Sequence, residues 1–412
     1  MPTSFEDARS LILDHIQPLP SEAVPLLNSL GRALAAPLDA PLELPRFNNS
    51  AMDGYAVRSS DCVPGVRLKV CGYIPAGGRP EPAVPAGGAV KIMTGAPTPP
   101  GCDAVVPFEE TDCGEEVVTL HGTVKAHDHI RFRGEDIALG SRVLEAGATL
   151  RPPEISLLAS FGYQHAEVTR RAQVAILSTG DELVEVGEAL DERTIVNSNS
   201  WSLAAAVKEL GGEPVMLGIA RDNRDSLYAK LSEGLQYDAL ITSAGVSAGD
   251  RDLVREVLEE LGVQQHFWKI DIKPGRPTAF ATRGQTPVFA LPGNPVSTMI
   301  TFENFVRPAL LKMMGHRTIL KPLIKVTLAE ETRKKPGRVQ FMRVAVTSGP
   351  SGLCMVSSGD QNTGILNTML RANGIAILPA ERDYFAAGEA VDVQLLDLAA
   401  AQLDPAATLL AS

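Results

Sequence analysis

Four short loops of this 412-residue chain share one composition: glycine beside serine, threonine or proline, with charged residues close by. Ser178, Thr179, Gly180, Asp181 and Glu182 make up the first. The second runs from Thr242 to Asp250 and includes Ser243, Gly245, Val246, Ser247 and Gly249, with Asp252 just beyond. Lys269, Lys273, Pro274, Gly275 and Arg276 belong to the third, and Pro292, Gly293, Asn294, Pro295 and Ser297 to the fourth. Glycine lets backbone N–H groups come close to a ligand. A helix that follows such a loop presents unpaired donors and the positive end of its dipole. Hydroxyls and cations add charge-assisted hydrogen bonds. The shared chemistry is that of a site for phosphate or another oxyanion.

Carboxylates stand in and between the same loops: Asp181, Glu182, Asp222, Asp250 and Asp252. A carboxylate beside a phosphate repels it unless a cation lies between them. Mg²⁺ commonly joins one or two carboxylates to ligand phosphates. Helix capping is the plainer use of Asp222, Asp250 and Asp252, since all three precede expected helices. A second constellation lies nearer the N-terminus. Asp53, Thr94, Glu135 and Asp136 fall beside glycine and arginine in the segments 46–57, 91–97 and 131–136. Turn chemistry accounts for any one of them. As a group they could complete a site from another domain or another subunit.

Other chemistries find no support. There is no G-x-G-x-x-G or G-x-x-x-x-G-K-[ST] segment, so neither a standard dinucleotide site nor a P-loop is expected. Most of the seven histidines lie outside the glycine loops, which gives no Ser/His/Asp or Cys/His arrangement. Five cysteines without a C-x-x-C pair fit a reducing compartment better than a zinc site or disulfide framework. The net charge of −11 disfavours nucleic acid and anionic membranes as partners, although a local basic pocket can still take a small anion. No run of 18 apolar residues is present, and the acidic, amphipathic N-terminus does not read as a signal peptide. A cytoplasmic protein is expected.

The elements that must hold these loops can be read from periodicity. Between 172 and 318, nearly all-apolar strand runs alternate with helical ones, as in a doubly wound, mostly parallel α/β domain of about 4–6 strands. Strands are expected at VAILST, PVMLGI, DALITS, HFWKI and PVFALP. Residues 45–139 carry short runs at Tyr55–Val57, Arg67–Val70, Ala89–Ile92, Ala104–Val106 and Val117–Leu120 between Gly and Pro clusters, a β-rich inserted domain. Residues 1–44 with 140–171 read as an N-terminal helical and linker domain, with a helix over 4–18. Residues 319–412 read as a β domain, a sandwich or a barrel.

The segments PRFNNSAMDGYAVR, AVKIMTGAPTPPGCDAVVPFEET, RFRGEDI, LSTGDELVEVG, TIVNSNS, TSAGVSAGDRD, WKIDIKPGRP and FALPGNPVST run in one order from residue 45 to 298. As a set this resembles the molybdopterin molybdenumtransferase family, which includes bacterial MoeA and the gephyrin E domain. The resemblance covers nearly the whole chain. It implies a four-part subunit that forms a homodimer, with a barrel-like C-terminal domain and an α/β domain shared with molybdopterin adenylyltransferases of the MogA type. The implied reaction is Mg²⁺-dependent insertion of molybdate into adenylylated molybdopterin with release of AMP. A molybdopterin adenylyltransferase or apo-molybdoenzymes are implied as protein partners.

Carried over by position, Asp53, Thr94, Asp136, Glu182, Asp222, Asp252, Lys269 and Lys273 take the catalytic places, and Pro292 and Pro295 match as well. Glu182, Asp222 and Asp252 would hold Mg²⁺ or orient water. Lys269 and Lys273 would bind molybdate or the pterin phosphate. The loops at 245–250 and 292–297 would cradle the substrate. Asp53 and Thr94 would act from the partner subunit. The chain departs from the family at Asn48, Arg193, Ala244, Ala248 and Arg276. Ala244 replaces a glycine, the residue that tolerates positive φ. An adenylyltransferase and a gephyrin-like scaffold are the competing functions. The N-terminal motifs favour the insertase.

Overall fold

The computed structural model describes residues 2–245, 253–349 and 352–396. They form two compact units. One holds the described residues up to Ala36, Ala146–Ser156 and those from Gln164 onward; the other holds Pro37–Glu145 and Leu157–Tyr163.

The first unit is organised on a six-stranded sheet. Its strands are β1 (Gln173–Thr179), β2 (Glu213–Ala220), β3 (Ala239–Ser243), β4 (Gln264–Phe267), β5 (Ala279–Arg283) and β6 (Thr286–Leu291). Their spatial order is β2-β1-β3-β6-β5-β4. The first four are mutually parallel, whereas β5 runs antiparallel to both β6 and β4. Strand β5, in PTAFATR, was not expected from the sequence. It forms a hairpin with β6 in which Gly284 has φ +60°.

Alternate residues of β1 show why the strands are apolar throughout. Val174 and Ile176 join a core with Leu203, Val207, Ile300 and Phe305. Ala175 and Leu177 join another with Leu227, Leu231, Val254 and Val257. Helices α2 (Ser198–Glu209) and α5 (Pro295–Thr301) thus cover one face, and α3 (Arg224–Gly234) and α4 (Leu253–Glu260) the other. Both faces of the sheet are buried, so its loops are the places where polar chemistry can gather.

Helix α1 (Phe5–Asp14) starts where the Ser4 hydroxyl accepts the Asp7 N–H at 3.1 Å. It ends before the expected residue 18. Its Phe5 packs edge-on against Phe305 and Phe341, at 5.6 and 5.0 Å between centroids. Phe341 belongs to the C-terminal β domain, which is a barrel. Strands β7 (Leu323–Leu328), β8 (Val339–Gly349), β9 (Gly352–Ser357), β10 (Gly374–Leu378) and β11 (Ala390–Leu395) pair in the order β8-β9-β7-β11-β10. The pairing of β8 with β10 closes the ring. Val326, Met342, Val344, Met355 and Val393 fill it.

The second unit contains a five-stranded sheet of Ala104–Pro107, Gly54–Val57, Gly88–Ile92, Arg67–Ile74 and Val117–Thr119, in that spatial order. All five runs expected from the sequence in this region are strands. No helix of the described residues is long and apolar enough to cross a membrane.

A half-buried histidine follows the helical run that α5 begins. His316 hydrogen-bonds Thr149 Oγ1 through Nδ1 at 3.0 Å. Burial, then the nearby Arg307 and Arg32 guanidinium groups, lower its pKa. A histidine with a depressed folded-state pKa takes up its proton more readily when unfolded. Its stabilising contribution is therefore full above the ordinary value of about 6.5 and is lost as pH falls below it. His316→Gln is expected to flatten the loss of stability between pH 7 and 5 in urea titrations. Superimposable pH profiles for variant and parent would refute this origin.

Candidate active site

The loops at the carboxyl ends of β1, β3 and β6 surround a cavity of about 780 Å³. Of the residues expected at the site, Ser178, Glu182, Ser243, Gly245, Lys269, Lys273, Pro274, Gly275, Arg276, Pro292, Gly293, Asn294, Pro295 and Ser297 line it. Thr179, Gly180, Asp181 and Asp222 are not in its lining. Val246, Ser247, Gly249, Asp250 and Asp252 lie outside the described residues.

The cationic wall is built from backbone upward. The N–H of Thr3 donates to the Lys269 carbonyl at 3.0 Å, and the Asp271 N–H donates back to Thr3 at 2.9 Å. Ile272–Lys273 pairs in parallel with Val339–Gln340 of β8. Gly275 has φ +101°, and a Cβ there would come within 2.4 Å of Thr301 Cγ2, so only glycine fits. The Thr278 hydroxyl locks the turn on the Gly275 carbonyl at 2.6 Å. Lys269, Lys273 and Arg276 thereby project from a segment clamped on both sides. Arg338, from the turn before β8, adds a fourth cation to the cavity lining.

The opposite wall is polar and cross-linked. Asn197 caps α2, its Oδ1 accepting from Ser200 N–H at 3.4 Å and from the Ser178 hydroxyl at 2.7 Å. Asn199 donates from Nδ2 to Ser243 Oγ at 2.8 Å and to the Gly293 carbonyl at 2.7 Å, which ties three loops together. The first turn of α2 faces the cavity through Asn197, Ser198 and Asn199. Leu183, Ile195 and Val196 add an apolar strip. Glu182 is exposed and is fixed through its backbone, its carbonyl accepting from Ile195 N–H at 2.8 Å.

Asp181 takes a structural position, its carboxylate accepting the Asp222 N–H at 3.2 Å. Arg221 grips the same loop from below, donating to the Leu183 carbonyl at 2.9 Å. Among the described residues no cluster of three His, Cys, Asp or Glu side chains forms a ready metal cage. Of the expected metal ligands among the described residues, Glu182 lines the cavity and Asp222 does not. One carboxylate completed by ligand phosphates and water is a fitting donor set for Mg²⁺.

The remaining expected residues belong to the second unit. Asp53 precedes the strand Gly54–Val57, and Thr94 follows its neighbour Gly88–Ile92. The Asp53 carboxylate accepts both the N–H (2.6 Å) and the hydroxyl (2.7 Å) of Thr94, which hold its pKa below the ordinary carboxylate range. Asp136 lies on a separate loop, its N–H donating to the Leu44 carbonyl at 3.1 Å.

Comparison with known proteins decides the lineage. Residues 3–162 match the MoeA N-terminal region (domain I and II), 175–312 the probable molybdopterin binding domain and 325–396 the MoeA C-terminal region (domain IV). The molybdopterin molybdenumtransferase of Haemophilus influenzae is 37% identical over 95% of this chain and 98% of its own length. The chain belongs to the molybdopterin molybdenumtransferase family. The enzyme of that name from Staphylococcus aureus strain Mu50 is 33% identical over 97% of both chains. The crystal structure of a molybdopterin biosynthesis MoeA protein from Pyrococcus horikoshii, at 28% identity, superposes with a TM-score of 0.84 over 96% of this chain and all of that one.

Sequence reasoning missed Asn199, Arg221, Arg338 and Thr363. Asn199 lies in a segment that carries the family resemblance, and its spacing from Asn197 puts both in the first turn of α2. Arg338 and Thr363 sit far along the chain in the barrel, with no local signal. One departure has a visible consequence: Ala244 has φ +72°. A left-handed alanine is strained by roughly 1–2 kcal/mol relative to its ordinary backbone. After the greater unfolded-state freedom of glycine is deducted, Ala244→Gly is expected to stabilise by about 0.5–1 kcal/mol in urea unfolding. A variant no more stable than the parent would show that the loop relaxes around the alanine.

Proposed function

We propose that this chain is a molybdopterin molybdenumtransferase that inserts molybdate into adenylylated molybdopterin and releases AMP. The observation that carries the reading is the cavity wall of Lys269, Lys273, Arg276 and Arg338. None of the four has an ion-pair partner among the described residues, in a chain whose net charge is −11. Unpaired cations beside a helix N-terminus suit an incoming oxyanion and a phosphate. The apolar strip of Leu183, Ile195 and Val196 suits the flat body of a pterin or adenine.

In this reading Lys269, Lys273, Arg276 and Arg338 hold molybdate and phosphate oxygens. The loops at Ser243–Gly245 and Pro292–Ser297 seat the substrate. Glu182 would hold Mg²⁺ together with substrate phosphates, and the metal would offset charge on the phosphate that leaves. Asp222 and Asp252 are retained as candidate ligands. Asp53, Thr94 and Asp136 act at the site of the partner subunit in a cytoplasmic homodimer. An adenylyltransferase reading is disfavoured because the C-terminal domain contributes Arg338 and Thr363 to the cavity. An α/β domain working alone would lack both.

Purified chain given adenylylated molybdopterin, Mg²⁺ and molybdate is expected to release AMP. Lys273→Met should lower that rate about 100-fold or more, as loss of a charge-stabilising donor does elsewhere, while leaving the unfolding midpoint near that of the parent. Consumption of ATP with plain molybdopterin, and no AMP release, would establish the adenylyltransferase instead. Heterodimers carrying Asp53→Asn in one subunit and Glu182→Gln in the other test site sharing. Half the activity is expected if each site draws on both chains, and none if each is built within one.

A further inference from the structure

Arg343 is the largest fully buried side chain among the described residues. It sits on β8, outside the cavity lining, and no carboxylate forms an ion pair with it among those residues. A buried guanidinium is unfavourable unless its donors are used. Nε donates to Thr368 Oγ1 at 2.8 Å and Nη2 donates to the carbonyls of Asp360 (2.9 Å) and Asn362 (3.2 Å), while the buried Nη1 has no hydrogen-bond partner among the described residues. The backbone of Arg343 holds the same segment. Its N–H donates to Gln361 Oε1 at 3.0 Å, and its carbonyl accepts from Gln361 Nε2 at 3.2 Å and from the Ser358 N–H at 3.1 Å. All of these partners therefore lie between residues 358 and 368.

That segment carries one residue into the cavity, Thr363. Thr363 Oγ1 accepts from Asn294 Nδ2 at 3.0 Å. Asn294 is the N-cap position of α5 and lines the same cavity. A short chain of contacts thus runs from the outer face of β8 to the glycine loop after β6. We infer that Arg343 is a positioning residue for the oxyanion cavity: by fixing the carbonyls of Asp360 and Asn362 it holds Thr363 against Asn294. The inference rests on the proposed function only in taking the cavity as an oxyanion site. A guanidinium meets this need better than an ammonium, because its rigid fork reaches a hydroxyl and two carbonyls from one plane.

The test is titration of the full chain with sodium molybdate by calorimetry, alongside thermal unfolding of each variant. Arg343→Met keeps the apolar stem and removes the fork. It and Thr363→Val are each expected to weaken molybdate binding about tenfold, the equivalent of one charge-assisted hydrogen bond. Because both act on one contact, the double variant should bind about as weakly as the single ones, rather than about 100-fold more weakly as independent effects would. Arg343→Lys should recover part of the loss. A folded Arg343→Met chain that binds molybdate like the parent overturns the inference, and so do additive losses. If Arg343→Met does not fold, Thr368→Val decides. It removes the Nε acceptor alone and should weaken binding about threefold, with unchanged binding overturning the inference. Failure of the unaltered chain to bind molybdate would instead overturn the oxyanion reading itself.

Discussion

Lys269, Lys273, Arg276 and Arg338 repel one another, and none of them is ion-paired with a carboxylate among the described residues. The architecture around the cavity follows from keeping that wall in place. Flexible side chains on a flexible loop would spread apart or fold onto the acidic surface. Here the loop is held by backbone instead: Thr3 on one side, Val339–Gln340 on the other, and a glycine turn pressed against Thr301. None of these contacts uses a charged side chain. The four cations are left free for a ligand, and the ordering entropy is met by backbone hydrogen bonds and packing rather than by ion pairs.

The wall facing them uses a different device. Ser178, Asn197, Asn199, Ser200 and Ser243 form a nearly buried hydrogen-bonded frame between β1, β3 and the start of α2. A polar network of this kind is favourable only when its members are satisfied, and it then admits few alternative arrangements. Asn199 Oδ1 is the buried atom of this frame that has no partner among the described residues. The strained Ala244 directly follows Ser243 of this frame, its Cβ 3.2 Å from where a side chain on Gly293 would begin. The loop after β3 is held by the Asn199 bond to Ser243 and by the Ala244 N–H on the Leu291 carbonyl at 3.1 Å.

How much of this the sequence disclosed depended on distance along the chain. Alternating apolar strands and helices disclosed the doubly wound sheet, because burial on both faces leaves a local mark on every strand. The five short strands of the second unit were legible for the same reason, bounded as they are by Gly and Pro clusters. Strand β5 was not, since AFATR is short and its place is set by pairing with β6. The strand pattern left sandwich and barrel open, because closure depends on the β8–β10 pairing, and the barrel was expected from the family resemblance alone. At the site, glycine loops were legible from composition. The link from Asn199 to Gly293 spans 94 residues, and that from Asn294 to Thr363 spans 69, so neither leaves a local trace.

These long links bear on why the chain carries a barrel at all. An open α/β sheet gathers anion-binding loops at one edge, but by itself it leaves that edge open to water, where exposed charges are screened and attract weakly. The barrel places Arg338 and Thr363 along this edge and pairs β8 with the lysine loop. It thereby raises the local positive potential and restricts solvent on one side. Helix α1 reinforces the junction, since Phe5 touches both Phe305, in the helical run that α5 begins, and Phe341 of β8. Displacement of the barrel would loosen three things together: the Ile272–Lys273 pairing, the Asn294 contact and the Phe5 cluster. The cavity is a property of the α/β sheet and the barrel jointly, which is why residues on two different folds must be held to a common geometry before either can bind an anion well.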